Sequence, residues 1–100
     1  MLVVIARVQA RADQADELAG LLAPLAVASR QDPGCRSYEF YRDVEDATLF
    51  CSVETWDSRA DLDAHMGAPH TAALLSQLPG LVAGLPTIHA HEVSSTDQVA

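Results

Sequence analysis

The stretch Leu49–Trp56 is rich in apolar, β-branched and aromatic residues, a composition typical of a β-strand. Successive strand residues point to opposite faces, so the two faces can be compared directly. One face carries Phe50, Ser52, Glu54 and Trp56. The other face carries Leu49, Cys51, Val53 and Thr55. Because both faces contain apolar residues, the strand is predicted to lie in a sheet that is covered on both sides.

The chain before this strand is predicted to form a strand, a helix and a second strand. The first strand is predicted at residues 2–10, and its middle part is apolar on both faces, as in the strand Leu49–Trp56. Asp13 is a predicted helix cap, and the leucines that follow it have the spacing of an amphipathic helix. Those leucines are Leu18, Leu21, Leu22 and Leu25. The strand Cys35–Arg42 comes next, and the short polar turn before Leu49–Trp56 predicts an antiparallel hairpin.

The chain after the hairpin is predicted to form helix and then strand. Ser58 is a predicted N-cap for a helix that begins at Arg59. A further helical run covers about residues 70–82, and the last strand covers residues 87–93. The resulting order, strand, helix, strand, strand, helix, strand, is typical of the ferredoxin-like α+β fold with a four-stranded antiparallel sheet.

The predicted fold places both helical layers on one face of the sheet and leaves the other face uncovered. Since two strands are apolar on both faces, a second copy of the chain is the simplest cover for that face. The sequence therefore predicts a homodimer. We expect residues 1–93 to form a single domain, and the small, polar residues 94–100 to be a frayed tail.

Composition and charge exclude several classes of partner. The net charge is −8 and no basic cluster occurs, which disfavours nucleic acid and anionic membranes as partners. No apolar run approaches the roughly 20 residues of a membrane helix. The first residues lack the pattern of a signal peptide, which predicts a cytoplasmic protein. Cys35 and Cys51 are therefore expected to be free thiols, with Cys51 facing the helices.

The chain resembles the antibiotic biosynthesis monooxygenase family, part of the dimeric α+β barrel group. The resemblance runs from about residue 2 to residue 92 and rests on short motifs in a fixed order. These are Ser29-Arg30, Pro33-Gly34-Cys35 with Tyr38, Phe50 with Glu54 and Trp56, Ala64-His65, and Pro69-His70. It implies oxygenation of a quinol or an aromatic polyketide without flavin, haem or metal. The family also includes haem-degrading enzymes and isomerases.

The sequence departs from two branches of that family. The polyketide oxygenases have an asparagine four residues before the tryptophan, and this chain has Ser52 at that position. They also have an arginine in the second helix, where this chain has Leu74-Leu75-Ser76. The haem-degrading branch has an asparagine on the first strand, and this strand has none. These differences argue against close membership of either branch.

Three residues are candidate catalytic groups. Glu54 shares a strand face with Trp56, where a partly desolvated carboxylate could act as a general base, or could instead pair with Arg36 or Arg42. His65 lies at the margin of an apolar helix face and could accept a phenol proton at neutral pH, or could be a structural residue. His70 follows a proline at a helix start and could be a base or a cap-region residue.

Four residues are candidate substrate contacts: Tyr38, Phe50, Ser52 and Trp56. Trp56 could stack on a planar substrate, although a single tryptophan is more often part of a core. No metal site is expected, because His65 and His70 are five residues apart rather than three or four. His89 and His91 share a strand face, but a solvated strand edge explains them more simply.

We therefore predict an enzyme that oxidises a quinol-like or polycyclic phenol with dioxygen and uses no cofactor. His65 or Glu54 would remove a phenolic proton, and the anion would pass an electron to dioxygen in a water-poor cavity. Two alternatives remain open. One is a ligand-binding or stress-associated dimer without turnover, and the other is an isomerase of a small carbonyl compound.

Overall fold

A computed structural model describes residues 1–100 and shows a four-stranded antiparallel sheet with helices on one face. The elements are β1 (Leu2–Gln9), α1 (Ala15–Ser29), β2 (Cys35–Arg42), β3 (Leu49–Trp56), α2 (Arg59–Met66), α3 (Pro69–Gln77), a 3₁₀ turn (Leu78–Gly80) and β4 (Thr87–Glu92). The strand order is β2-β3-β1-β4. This topology confirms the predicted ferredoxin-like α+β fold. None of the helices has both the length and the apolar character that crossing a membrane requires.

The predicted element boundaries need two small corrections. Gln14, and not Asp13, precedes α1, and no side chain caps that helix. The predicted run 70–82 ends earlier as an α-helix, at Gln77, and continues as a 3₁₀ turn. Pro79 lies in that turn and has no N–H to donate, so an α-helical hydrogen bond cannot continue there. By contrast, Ser58 caps α2 as predicted, since its Oγ accepts the backbone N–H of Asp61.

The strand register puts the polar and aromatic face of β3 against the helices. Paired residues in antiparallel strands lie on the same face, and Glu54 pairs with Val4 while Ser52 pairs with Ala6. The inward residues of β3 are all buried: Phe50, Ser52, Glu54 and Trp56. The expectation that Cys51 faces the helices was wrong. Alternation places it on the uncovered face beside Arg7, where it is half-buried.

Two apolar clusters fill the space between the sheet and the helices. The larger one joins α1 to α3 and contains Leu18, Leu22 and Phe50. The smaller one contains Tyr38, Trp56 and Leu62, and it packs α2 against the end of the sheet. The polar side chains of β3 lie between these clusters. The fold therefore holds a polar site inside an apolar interior, where charges are poorly screened.

The turn between α1 and β2 depends on Gly34. Its φ is 78°, in the left-handed region, and it follows Pro33, as in a type II turn. The Cys35 N–H closes the turn on the Asp32 carbonyl at 3.1 Å. A Cβ on Gly34 would lie 2.2 Å from the Asp61 carboxyl carbon. Both the backbone angle and the space at this position therefore require glycine.

We expect Gly34→Ala to lower the free energy of unfolding by at least about 2 kcal/mol, through the left-handed backbone and the collision with Asp61. Gly20→Ala is a matched control, because Gly20 lies inside α1 with no atom within 4 Å of an added Cβ. It should stabilise by about 0.5–1 kcal/mol. Urea titration followed by circular dichroism measures both. Equal effects of the two changes would contradict the assigned turn.

Candidate active site

A cavity of about 70 Å³ lies between the sheet and the helices, with a mainly apolar lining. Its lining includes Pro86, which lies before the edge strand β4, and Ile88, the second residue of that strand; because Ile88 is 43% exposed, the mouth lies on this side. The polar residues that line it come from five elements: Arg7 from β1, Tyr38 from β2, Ser52 and Glu54 from β3, His65 from α2 and Thr71 from α3. An apolar cavity with a few convergent polar groups is the usual form of a small-molecule site.

Glu54 is held by two hydrogen bonds from its own strand. Ser52 Oγ donates to Oε2 at 2.6 Å, and Trp56 Nε1 donates to Oε1 at 3.0 Å. The residue is only 3% exposed, and the alternation of the strand alone brings these three side chains together. Arg36 pairs with Asp57 and Arg42 with Asp16, so the predicted alternative of an arginine partner for Glu54 is wrong.

His65 is buried and its ring orientation is fixed. Its side chain is 2% exposed, so the expectation that it lies at the margin of the apolar face was wrong. Nδ1 lies 2.8 Å from Asp32 Oδ2, and the ring packs on Trp56 with 4.7 Å between centroids. The neutral imidazole therefore donates Nδ1–H to the carboxylate. His65 lines the cavity, and its Nε2 has no hydrogen-bond partner in the chain, which leaves that nitrogen able to accept a proton.

Asp32 joins His65 to His70. His70 Nε2 also lies 2.8 Å from Asp32 Oδ2, so one carboxylate oxygen contacts both imidazoles. The spacing of three or four residues applies to ligand pairs within one helix, and these two histidines lie on different helices. In the structure α2 ends at Met66 and α3 begins at Pro69, and this break brings the two rings to 5.9 Å. His70 does not line the cavity and lies on the outer side of Asp32.

Tyr38 is a buried hydroxyl that lines the cavity. Burial, with a smaller contribution from the Glu54 carboxylate, holds the pKa of the Tyr38 phenol well above its usual range. The phenol therefore stays protonated at neutral pH and can donate a hydrogen bond to an anion in the cavity. Its ring also contacts the His65 ring, with 5.4 Å between centroids.

The predicted contacts Trp56 and Phe50 do not line the cavity. Trp56 is fully buried behind Glu54 and His65, so it positions those two residues and offers no face to a substrate. Phe50 packs in the larger apolar cluster, under the guanidinium of Arg42. Both residues share a strand face with Ser52 and Glu54, as predicted, but that face extends beyond the part that borders the cavity.

Asp32 and Thr71 are the site residues that sequence reasoning missed. Asp32 was assigned only to the turn that ends the first helix, and Thr71 has no motif of its own. Thr71 Oγ1 lies 3.4 Å from His65 Nδ1 and is buried. The sequence signal that could have pointed to Asp32 is the tight turn at Pro33-Gly34, because such a turn fixes the backbone at the residue that precedes it.

Cys35 lies at the end of the smaller cluster, and burial, followed by the Glu54 charge, raises the pKa of its thiol to about 11. In a Cys51→Ser protein, where Cys35 is the only thiol, we expect iodoacetamide to react at pH 8 about 10²-fold more slowly than in urea. The rate should rise about tenfold per pH unit up to pH 10, because the thiolate is the nucleophile. A rate that levels off near pH 9 would contradict this environment.

Comparisons with known proteins agree on one family. The family model described as antibiotic biosynthesis monooxygenase matches residues 1–77. The uncharacterized protein sll1783 of Synechocystis is 30% identical over 95 residues, which are 95% of this chain and 65% of that protein. Rv0793 of Mycobacterium tuberculosis, provisionally named a monooxygenase, is 39% identical over 67 residues, 67% of this chain. The aligned residues cover 65% of the length of either relative.

Solved structures show the same fold over the whole chain. A Deinococcus radiodurans protein, provisionally described as an antibiotic biosynthesis monooxygenase, superposes with a TM-score of 0.93 at 27% identity, covering 100% of this chain and 99% of that one. The structure of Rv0793 gives 0.85 at 28% identity, covering 99% and 98%. With the family model matching most of the chain, the protein belongs to the antibiotic biosynthesis monooxygenase family.

Proposed function

We propose that the protein is a monooxygenase that oxidises a small phenol or quinol with dioxygen and needs no cofactor. The observation that carries this proposal is the orientation of His65. Its Nδ1 lies 2.8 Å from Asp32 Oδ2, its Nε2 has no partner in the chain, and the residue lines the cavity. An imidazole fixed in this tautomer by a carboxylate is the arrangement that serves as a general base in hydrolase triads.

The reaction begins when His65 Nε2 takes the proton of a ring hydroxyl, and Asp32 stabilises the imidazolium that forms. The phenolate passes one electron to dioxygen, and the two radicals combine at a ring carbon that bears hydrogen. The new C–O bond uses two electrons of the ring. The imidazolium then protonates the peroxide. Loss of the ring hydrogen as a proton and cleavage of the O–O bond give a quinone and water. One phenol and one dioxygen thus give one quinone and one water, with no external reductant.

The other cavity residues fit the same chemistry. Tyr38 stays protonated and donates a hydrogen bond to the phenolate or to the peroxide oxygen. Each oxygen of Glu54 accepts one hydrogen bond from the chain and retains a lone pair for a second substrate hydroxyl. The apolar lining excludes water, which favours electron transfer from the anion to dioxygen over loss of the anion to solvent.

The size of the cavity favours a single aromatic ring. Sites for drug-sized ligands hold roughly 300–1,000 Å³, whereas this cavity holds about 70 Å³. A polycyclic phenol therefore requires a large opening at the mouth. Ile88 is 43% exposed there, so it can move outward with less loss of packing than a core residue. We accordingly assign single-ring quinols as the first substrates to test.

The test is dioxygen uptake by EDTA-treated protein with one-ring hydroquinones, two-ring naphthohydroquinones and three-ring anthrones. The His65→Asn protein corrects for autoxidation of each compound. We expect enzyme-dependent uptake of one dioxygen per quinone, unchanged by catalase, with one ¹⁸O atom from ¹⁸O₂ in the product. Catalase halving the uptake would indicate hydrogen peroxide release and an oxidase. Substrate binding without uptake would overturn the enzyme proposal in favour of a ligand-binding protein.

We further propose that a second copy of the chain covers the open face of the sheet, where Ile5 and Val53 are paired across β1 and β3. Val53→Glu puts a charge at the centre of that face and should give mainly monomer at micromolar concentration. Val27→Glu is the control, since Val27 is 61% exposed on α1. Light scattering measures the mass. A wild-type monomer, or an unchanged dimer in the Val53 variant, would contradict this interface.

A further inference from the structure

We propose that Asp32, His65 and His70 form a binding site for a divalent first-row transition-metal cation of the zinc type. Three ligand atoms converge in the structure: Asp32 Oδ2, His65 Nδ1 and His70 Nε2 all lie within 4.8 Å of one another. Asp32 lies in the turn that follows α1, His65 lies in α2, and His70 lies in the first turn of α3. The set therefore exists only in the folded chain.

The two contacts to the Asp32 oxygen require little movement to accept a cation. Each imidazole nitrogen is 2.8 Å from the same carboxylate oxygen. Zinc binds nitrogen at about 2.0–2.1 Å and carboxylate oxygen at about 2.0–2.2 Å, so tetrahedral ligands lie about 3.3 Å apart. Each nitrogen–oxygen distance must open by roughly 0.5 Å. A rotation of His70 can supply much of this, because its side chain is 27% exposed.

The donor set selects the class of cation. Two imidazoles and one carboxylate suit zinc, cobalt, nickel and iron, whereas magnesium and calcium prefer oxygen ligands throughout. Three protein ligands leave a coordination position for water, as in open zinc sites. The side chain of Asp32 is 15% exposed, so a cation reaches the site from the His70 side and not through the buried cavity.

A bound cation has a consequence for catalysis, and this part rests on the proposed function. Coordination through Nδ1 places the proton of a neutral His65 on Nε2, the nitrogen that the proposed function uses as the proton acceptor. The imidazole can then no longer accept a phenolic proton. The cation and the hydrogen bond to Asp32 compete for the same Nδ1, so the cation acts as a reversible inhibitor of the site.

The binding test uses the EDTA-treated full chain without substrate. Calorimetry with zinc should give one site per chain, and cobalt should give visible d–d absorption typical of low coordination number. Asp32→Asn and His70→Ala should each weaken binding by about 10²-fold or more, since each removes a ligand. Circular dichroism checks that these variants fold. The double variant His89→Ala/His91→Ala is the control, because that exposed strand pair could bind zinc adventitiously.

The results separate the two proposals. Binding that is kept in the His89/His91 variant and lost in the Asp32 and His70 variants supports the site. Binding that is lost only in the His89/His91 variant, or no binding at all, overturns it. Zinc that binds at this site without slowing dioxygen uptake overturns the role of His65 as base. An absence of uptake in metal-free protein would overturn the proposed function and leave the calorimetric result unaffected.

Discussion

His65→Asn should lower the rate of quinol-dependent dioxygen uptake by about 10²- to 10⁴-fold, the usual contribution of a positioned proton acceptor. The asparagine amide nitrogen lies close to the position of Nδ1, so it can still donate to Asp32 across the 2.8 Å contact. The variant has no group at the position of Nε2. It therefore removes the proton acceptor while it keeps the link to the turn.

The stability of the same preparation must be measured, because His65 is buried. Loss of the ring contact with Trp56 should cost about 1–2 kcal/mol, which leaves the chain folded at room temperature. If the rate per folded molecule is unchanged in the variant, His65 is not the base. Glu54, the other proton acceptor on the cavity, would then be tested next.

The fold was predictable because local signals and tertiary structure agree. The bounds of β2 and β3 follow from their apolar content, and the start of α2 follows from the Ser58 cap. Alternation in β3 also groups the four residues that are buried against the helices. It does not indicate which of the two faces meets the helices, and Cys51 was assigned to the wrong one. The other errors arose at Asp13, where the neighbouring Gln14 precedes α1 instead, and at Pro79, which changes the type of helix.

The site was predictable only where its residues lie on one element. Ser52, Glu54 and Trp56 share a strand face, and the period of a strand relates them directly. Asp32 and His70 reach His65 through a turn and a helix break, and no sequence period relates such segments. The same reason explains why a metal-ligand pair was not expected. Residue spacing reports on neighbours within a helix and carries no information about helices that meet at a break.

Trp56 connects the stability of the protein to the geometry of its site. Trp56→Ala should lower the free energy of unfolding by about 3–5 kcal/mol, because the side chain is fully buried in the smaller cluster. That is a large part of the roughly 5–15 kcal/mol of a typical domain. Since Trp56 is the only tryptophan, unfolding must be followed by circular dichroism and not by its fluorescence.

Trp56→Phe separates the hydrogen bond from the packing. It keeps an aromatic ring beside His65 but removes the Nε1–H that Glu54 Oε1 accepts at 3.0 Å. A buried carboxylate that loses one donor should cost about 1–3 kcal/mol, so this variant should be less destabilised than Trp56→Ala. Dioxygen uptake should fall in Trp56→Phe as well, because Glu54 and His65 are both positioned by this ring. Equal destabilisation by the two changes would show that packing contributes little. If Trp56→Phe has the stability and the uptake rate of the wild type, the hydrogen bond to Glu54 contributes neither to stability nor to the geometry of the cavity.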